Sequence, residues 1–376
     1  MLLSKKELGL EFPLTREYVY FNTAASGLVP QRTISCMQQF WQDAAYPYSL
    51  VASTRSRNGE STRQKMARFI GAGEDEVTFV TSTAHALSLV AACLPLGPKD
   101  EVLIPANEFP AVVYPFLHGQ QTRGYSVKML DWSEYGPSVE QIENAITPRT
   151  RVLALSWIQY LNGYTHDLAL ISEVCKKRGT ILVVDAIQGL GAIPIDVKAC
   201  GIDVMAAGSF KWLMAGTGLA TLYVSRDVQP LLNPVMYNYK GNNTDALDPG
   251  FRLNLHPDIR KFELGSENHP GQRALGASVA FLESLGVQRI SEHNSSLAQR
   301  IRLELIQLGY QVRTRQNEVS PIVTFSCGSR EQDERLLAEL EEHNVLTCLR
   351  GLGIRIAPHL YSTQEDVDRL VEVLTR

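Results

Sequence analysis

Two side chains in the middle of this chain have the type and placement to do chemistry together. Residues 181–184 (ILVV) form an unbroken apolar run of strand length that stops at Asp185, the pattern of a strand buried on both faces of a parallel sheet. An acid at that point stands on the carboxyl edge of the sheet, where open α/β sheets hold their ligands. A second run, 204–207 (VMAA), ends in Gly208 and Ser209, and Lys211 follows among Phe210, Trp212, Leu213 and Met214. Apolar company strips water from an ammonium group, lowers its pKa and makes the amine nucleophilic. An amine and a carboxylate facing one cleft are what pyridoxal 5'-phosphate (PLP) needs from a protein. The amine forms a Schiff base, and the carboxylate keeps the pyridine nitrogen protonated.

The residues around the pair, Asp185, Ala186, Ile187 and Gln188, then Lys211, Trp212 and Leu213 with Gly216 and Gly218, resemble the signature of the class V aminotransferase family. That signature is an Asp-Ala-x-Gln strand end followed by a lysine, a Trp-Leu pair and a Gly-rich turn. The resemblance extends from residue 18 to residue 374. It implies the PLP-dependent transferase fold type I: an α/β protein with a mostly parallel central sheet flanked by helices, and a smaller α+β C-terminal domain. It implies site roles as well. Thr83, Ala84 and His85 would cradle the phosphate, Phe109 would lie on the pyridine ring, and Gln159 or Tyr160 would stand beside the phenolic oxygen. Gln188 and Ser209 would add cofactor contacts, and Ser266 would reach across a homodimer to the partner's phosphate. Asn22 and Ala25 would lie on the rim near the substrate carboxylate, which Arg355 would grip.

The elements that must position these groups are legible in outline. Strands are expected at 18–21, 77–80, 101–106, 151–158 and 219–224, and helices at 31–45, 61–70, 86–93 and 272–285. A helix at 168–178 is well marked, with Asp167 as its cap, basic residues in its last turn and Gly179 beyond it. Hydroxyl residues before the helix at 86 make an anion site, because free N–H groups and the helix dipole favour a phosphate. Family members more often carry Thr where this chain has His85, so at that position only the backbone contact carries over. Arg55 and Arg57 lie in a polar loop, as solvated side chains or as contacts to an anionic group across a subunit boundary. Ser266 also has the type to cap the helix that follows. The large PLP-binding domain is expected at 18–285, joined by an arm at 1–17. The small domain at 286–376 alternates helices at 290–308 and 330–344 with strands at 310–314 and 322–327. Its last helix opens at a capping box of Ser362 and Glu365. Alternation along 354–356 turns Arg355 away from its isoleucine neighbours, and a planar two-pronged donor there suits a carboxylate.

Composition narrows the class. At 376 residues with a net charge of -4, the chain exceeds the size of one core, and no basic run suggests a nucleic-acid surface. No apolar stretch reaches a membrane span, and the opening MLLSKKELG lacks the apolar core of a signal peptide, so a cytoplasmic protein is expected. The six cysteines are scattered without ligand spacing, and no metal motif is present.

Reaction type is less constrained than cofactor. Transamination, epimerisation and β-elimination all begin by removing the proton at Cα. A cysteine desulfurase of this family needs a thiol on a flexible loop after an Arg-x-Gly segment. Here Arg350, Gly351, Leu352 and Gly353 run straight into the strand of Arg355, and Cys348 precedes them. The expected order is therefore an aminotransferase-like enzyme acting on a small amino acid, then an epimerase or carbon–sulfur lyase, then a desulfurase. A PLP-binding regulator without catalysis is the rival from another class.

Overall fold

The computed structural model describes residues 2–46, 60–132, 135–244 and 250–376; Arg55 and Arg57 lie outside them. The chain enters through helix α1 (Lys5–Glu11), whose Leu8 and C-cap Phe12 are buried in the main core, and strand β1 (Val19–Tyr20). Helices α2 (Gln31–Ala44) and α3 (Thr62–Ile70) precede an alternating series. It comprises β2 (Val77–Val80), α4 (Thr83–Cys93), β3 (Glu101–Pro105), α5 (Pro110–Arg123), β4 (Ser126–Leu130), α6 (Val139–Ala145), β5 (Thr150–Ser156), α7 (Leu168–Arg178), β6 (Ile181–Asp185), β7 (Val204–Gly208) and β8 (Ala220–Val224). These strands make one seven-stranded sheet in the order β2-β8-β7-β6-β5-β3-β4, in which β8 alone runs against its neighbours. The expected mostly parallel sheet is what the chain forms.

Alternating residues of each central strand enter different cores. Leu153, Leu155, Leu182, Val184, Met205 and Ala207 pack into one layer, and Val152, Ala154, Val183, Val204 and Ala206 into the other. This is why the strands read as continuous apolar runs: both faces are covered by helices. The strands that share a direction bring their carboxyl ends to one edge, so the residues following β2, β3, β5, β6 and β7 are gathered there.

After the sheet come α8 (His269–Leu285), α9 (Val287–Gln307), β9 (Gln311–Val312), β10 (Val323–Ser326), α10 (Arg330–Glu342), β11 (Val345–Leu346), β12 (Cys348–Arg350), β13 (Gly353–Ile356) and α11 (Gln364–Leu374). Four of these strands form an antiparallel sheet in the order β12-β13-β10-β9, covered by a third core that includes Leu297, Ile301, Phe325 and Ile356. β11 pairs in parallel with β1, and Asn22 bridges to Ala357, so the start of the chain is tied to its end.

Two caps differ from expectation for local reasons. The last helix is capped by a box of Thr363 and Asp366, not Ser362 and Glu365, because the Ser362 hydroxyl accepts the His359 N–H at 3.1 Å. Helix α8 is capped by Asn268, with Pro270 in its first turn, so Ser266 does not serve as the cap. Among the described residues no helix is long and apolar enough to cross a membrane.

Candidate active site

Asp185 ends β6 at 3% exposure. One carboxylate oxygen accepts the Ile187 N–H at 2.9 Å, and among the described residues the other has no hydrogen-bond partner. Burial lifts the carboxyl to about 6, against the opposing pull of that N–H and of the Lys211 charge. It is thus mostly ionised at neutral pH, with one oxygen free to accept a donor.

Lys211 follows β7 in a turn that closes back on β8. The Ser209 N–H donates to the Leu219 carbonyl and the Ala215 N–H to the Ser209 carbonyl. Positive φ angles at Met214, Gly216 and Gly218 let the chain reverse in so few residues. The Lys211 ammonium lies 5.7 Å from the ring centre of Phe210 and 6.0 Å from that of Phe109. It has no hydrogen bond or ion pair among the described residues. Burial pushes it down to about 8, with the Asp185 charge opposing and the Arg355 and Arg350 charges adding to the fall. The desolvated amine and the buried carboxylate thus feel each other's charge.

The backbone of this lysine is buttressed by a contact that spacing did not reveal. The Gly27 N–H donates to the Phe210 carbonyl at 2.9 Å, and a Cβ at Gly27 would stand 2.0 Å from the Lys211 carbonyl oxygen. Gly27→Ala must displace one of the two backbones. We expect it to cost about 1–3 kcal/mol in chemical denaturation and to lower the PLP content after reconstitution, read by absorbance against protein concentration.

The turn after β2 enters α4. The Ser82 hydroxyl caps the helix by accepting the His85 N–H at 3.0 Å, so that donor is already engaged. The N–H groups of Thr83 and Ala84 precede the first intrahelical bond and remain to meet an anion. The buried Thr83 hydroxyl has no partner, and a Cβ at Gly208 would lie 3.1 Å from it. The His85 ring contacts the Thr81 hydroxyl and is held below its usual pKa by burial, so it adds no positive charge to the cradle.

Phe109, the residue before α5, leaves its ring 44% exposed at the sheet edge. Tyr160 meets it edge to face at 5.3 Å. Gln159 is wholly buried and donates through Nε2 to Glu108 at 2.9 Å, whereas the ring of its neighbour Tyr160 packs on Phe109. Gln188 is fully engaged: Nε2 donates to the Ala24 carbonyl and Oε1 accepts the Trp212 indole N–H. Ser209 spends its hydroxyl on the Gly216 and Leu219 carbonyls. Gln188 and Ser209 shape the turns around Asp185 and Lys211 with their polar atoms committed to the protein, whereas the buried Gln159 Oε1 has no partner.

Arg355 sits on β13 at 2% exposure. Its Nη1 donates to the Tyr160 carbonyl at 2.8 Å, its Nε has no partner, and no carboxylate pairs with it among the described residues. Directly opposite on β12 is Cys348. Asn22 and Ala25 lie on the loop after β1, with the buried Asn22 Oδ1 also unpartnered. Ser266 is exposed on the loop before α8, and no described contact joins it to the other site residues. Glu108 is the site residue that sequence reasoning missed. Its signal is weaker than that of Asp185, an acid three residues beyond an apolar strand at the carboxyl edge. Among the described residues no His, Cys, Asp and Glu cluster could hold a metal ion.

The donor set fits PLP. A carboxylate oxygen is free for a pyridinium N–H, an unpaired amine stands opposite, an open aromatic ring is ready to stack, and an orphan hydroxyl lies beside a helix N-terminus for the phosphate.

Comparison with known proteins bears on the family and its cofactor. A relative named probable cysteine desulfurase, from Methanothermobacter thermautotrophicus, is 26% identical, covering 100% of this chain and 98% of its own length. An uncharacterised aminotransferase of Bacillus subtilis, YcbU, is 27% identical over 96% of this chain and 95% of its own. The solved cystine C–S lyase C-DES, in complex with its reaction product cysteine persulfide, superposes with a TM-score of 0.90 at 18% identity, over 96% of this chain and 98% of its own. A mutant of that protein carries glycine covalently linked to its PLP cofactor. The model of the aminotransferase class-V family, whose members are PLP-dependent, matches residues 19–370, and the chain belongs to that family.

Proposed function

We propose that this protein acts at the Cα of a small α-amino acid in an aminotransferase-like reaction, as a cytoplasmic homodimer with shared active sites. The observation that carries the reading is the buried, acid-free guanidinium of Arg355 on the same edge as the desolvated Lys211. A cation with no counter-ion at that depth favours an anionic ligand, and a planar fork matches a carboxylate. PLP, when bound, supplies an electron sink that acidifies the substrate's Cα–H.

The chain's own residues then have distinct tasks. Arg355 holds the α-carboxylate and so presents Cα to Lys211, whose amine, lowered to about 8, can take a proton near neutral pH. Asp185 maintains a negative charge where the ring nitrogen needs its proton. Phe109 covers the ring without titrating, and Thr83 and Ala84 receive the phosphate. Asn22 and Ala25 close the carboxylate side. Ser266, exposed on the loop before α8, would reach the partner's phosphate.

A carbon–sulfur lyase is the second reading, favoured by the relative named as a cysteine desulfurase and by the likeness to C-DES. A desulfurase with its own loop thiol ranks lower, because Cys348 is held in the ladder of β12 opposite Arg355. Mixing the PLP-loaded protein with a panel of amino acids separates the readings. The proposed transamination releases one keto acid per cofactor and stalls until a keto-acid acceptor is added. Continuous pyruvate release without an acceptor, with sulfide or persulfide from cysteine or cystine, would overturn transamination in favour of the lyase.

A further inference from the structure

Asn107 takes a left-handed conformation (φ 62°) just beyond β3, and the chain reverses there so that Glu108 is buried while the next ring, Phe109, stands open. Glu108 makes no ion pair among the described residues. Its carboxylate is instead met by four donors. The Ser156 N–H at 2.8 Å and Gln159 Nε2 at 2.9 Å reach one oxygen; Ser156 Oγ at 2.5 Å and the Phe109 N–H at 3.3 Å reach the other. Four donors fill the four acceptor positions of an ionised carboxylate and leave no room for a proton. Together they tie three segments: the turn carrying Phe109, the last residue of β5, and the exit that carries Tyr160. Since the Tyr160 carbonyl holds Arg355 and its ring abuts Phe109, Glu108 lies beneath both the stacking ring and the support of the guanidinium.

We propose that Glu108 is a positioning residue that fixes Phe109 and the Gln159–Tyr160 turn, and that it does so only as a carboxylate. The proposal rests on reading Phe109 as the ring that lies on the cofactor. A proton on Glu108 must displace a donor. The Ser156 N–H is fixed by its strand, so the proton goes to the oxygen shared by Ser156 Oγ and the Phe109 N–H. The serine hydroxyl then turns from donor to acceptor, and the Phe109 N–H is left with a neutral and weaker acceptor.

Burial pushes Glu108 up to about 7, with the Ser156 contacts opposing and the Asp185 charge adding to the rise, so this change falls in the neutral range. The titratable groups facing it are few. Asp185 stands on the neighbouring strand, where it pairs in register with Ser156. The Tyr160 phenol is raised by burial and by Glu108 itself. His166, packed on the backbone of Ser156 and Trp157, is pushed down to about 4 by burial and is neutral in this range. Lys211 faces Asp185, and Arg355 faces Tyr160.

The test is the induced circular dichroism of the visible band of the PLP-loaded protein, which reports how firmly the ring is held, followed across pH. In the wild type the signal should fall as pH is lowered through about 7. Glu108→Gln resembles the protonated acid and should keep the low-pH amplitude at every pH while retaining bound PLP. A role in packing alone would lower its stability yet leave the wild-type pH profile, and that outcome overturns the proposal. Gln159→Leu removes one donor from the carboxylate and should raise the midpoint by about one pH unit; an unchanged midpoint overturns it too, even if Glu108→Gln does not fold. A wild-type signal independent of pH overturns this inference alone, whereas no visible band with PLP would overturn the cofactor site and the inference with it.

Discussion

Lys211→Ala should give a folded protein that binds PLP without a covalent bond and turns over at least ~10,000-fold more slowly. The size follows from losing two functions at once. A positioned proton-transfer group is worth about 100- to 10,000-fold, and the covalent anchor that readies the cofactor is lost as well. Borohydride reduction of the wild type, followed by proteolysis and mass spectrometry, should place the pyridoxyl label on Lys211, and a label on any other lysine would end the assignment. The environment adds a sign that can be checked. Because burial lowers the ammonium to about 8, the unprotonated amine accumulates as pH rises through 8. The rate of covalent loading with PLP should therefore level off near pH 9 and not continue rising past pH 10.

Arg355→Ala should weaken amino-acid binding by the cost of removing one partner of a buried charged pair, about 2–5 kcal/mol, which is tenfold for each ~1.4 kcal/mol. PLP should stay bound, since no cofactor contact is removed. Arg355→Lys should restore little, because an ammonium cannot donate to a carboxylate with two parallel N–H groups while also holding the Tyr160 carbonyl. Spectral titration with amino acids and with their decarboxylated amines measures both. Were acid and amine to bind alike, or Arg355→Ala to titrate like the wild type, the carboxylate grip would be wrong.

Sequence pattern conveyed the sheet because the physical cause was simple: strands covered on both faces must be apolar throughout, and the acid at 185 is where cover ends. Asp185 and Lys211 were legible for that reason. Other features depended on partners distant in the chain. Ser362 and Thr363 both satisfy the capping pattern, and only the His359 N–H, which occupies the Ser362 hydroxyl, decides between them. Gln159 and Tyr160 differ by one register step, and the Gln159 amide is oriented by Glu108, 51 residues earlier. Ser209 and Gln188 have the right types for cofactor contact, yet their polar atoms are taken by a turn and by Trp212 and Ala24. Gly27 carried no local signal, because its constraint comes from the carbonyl of Lys211.

The tie between the two ends of the chain has a consequence for the order in which the molecule can be completed during synthesis. The Trp212 carbonyl, next to the lysine, is reached by the His359 Nε2 at 3.1 Å, and the Thr23 hydroxyl meets the Tyr361 phenol at 2.6 Å across 338 residues. A nascent chain that has emerged through β8 possesses Asp185, Lys211 and the Thr83 turn. It lacks the segment that clamps Trp212, and it has no Arg355. Such a chain can form the sheet and offer an amine to free PLP, but that amine stays wetter than in the finished protein and closer to its ordinary basicity. Efficient capture of the cofactor is thus deferred until the segment carrying Arg355, His359 and Tyr361 has folded onto the sheet edge.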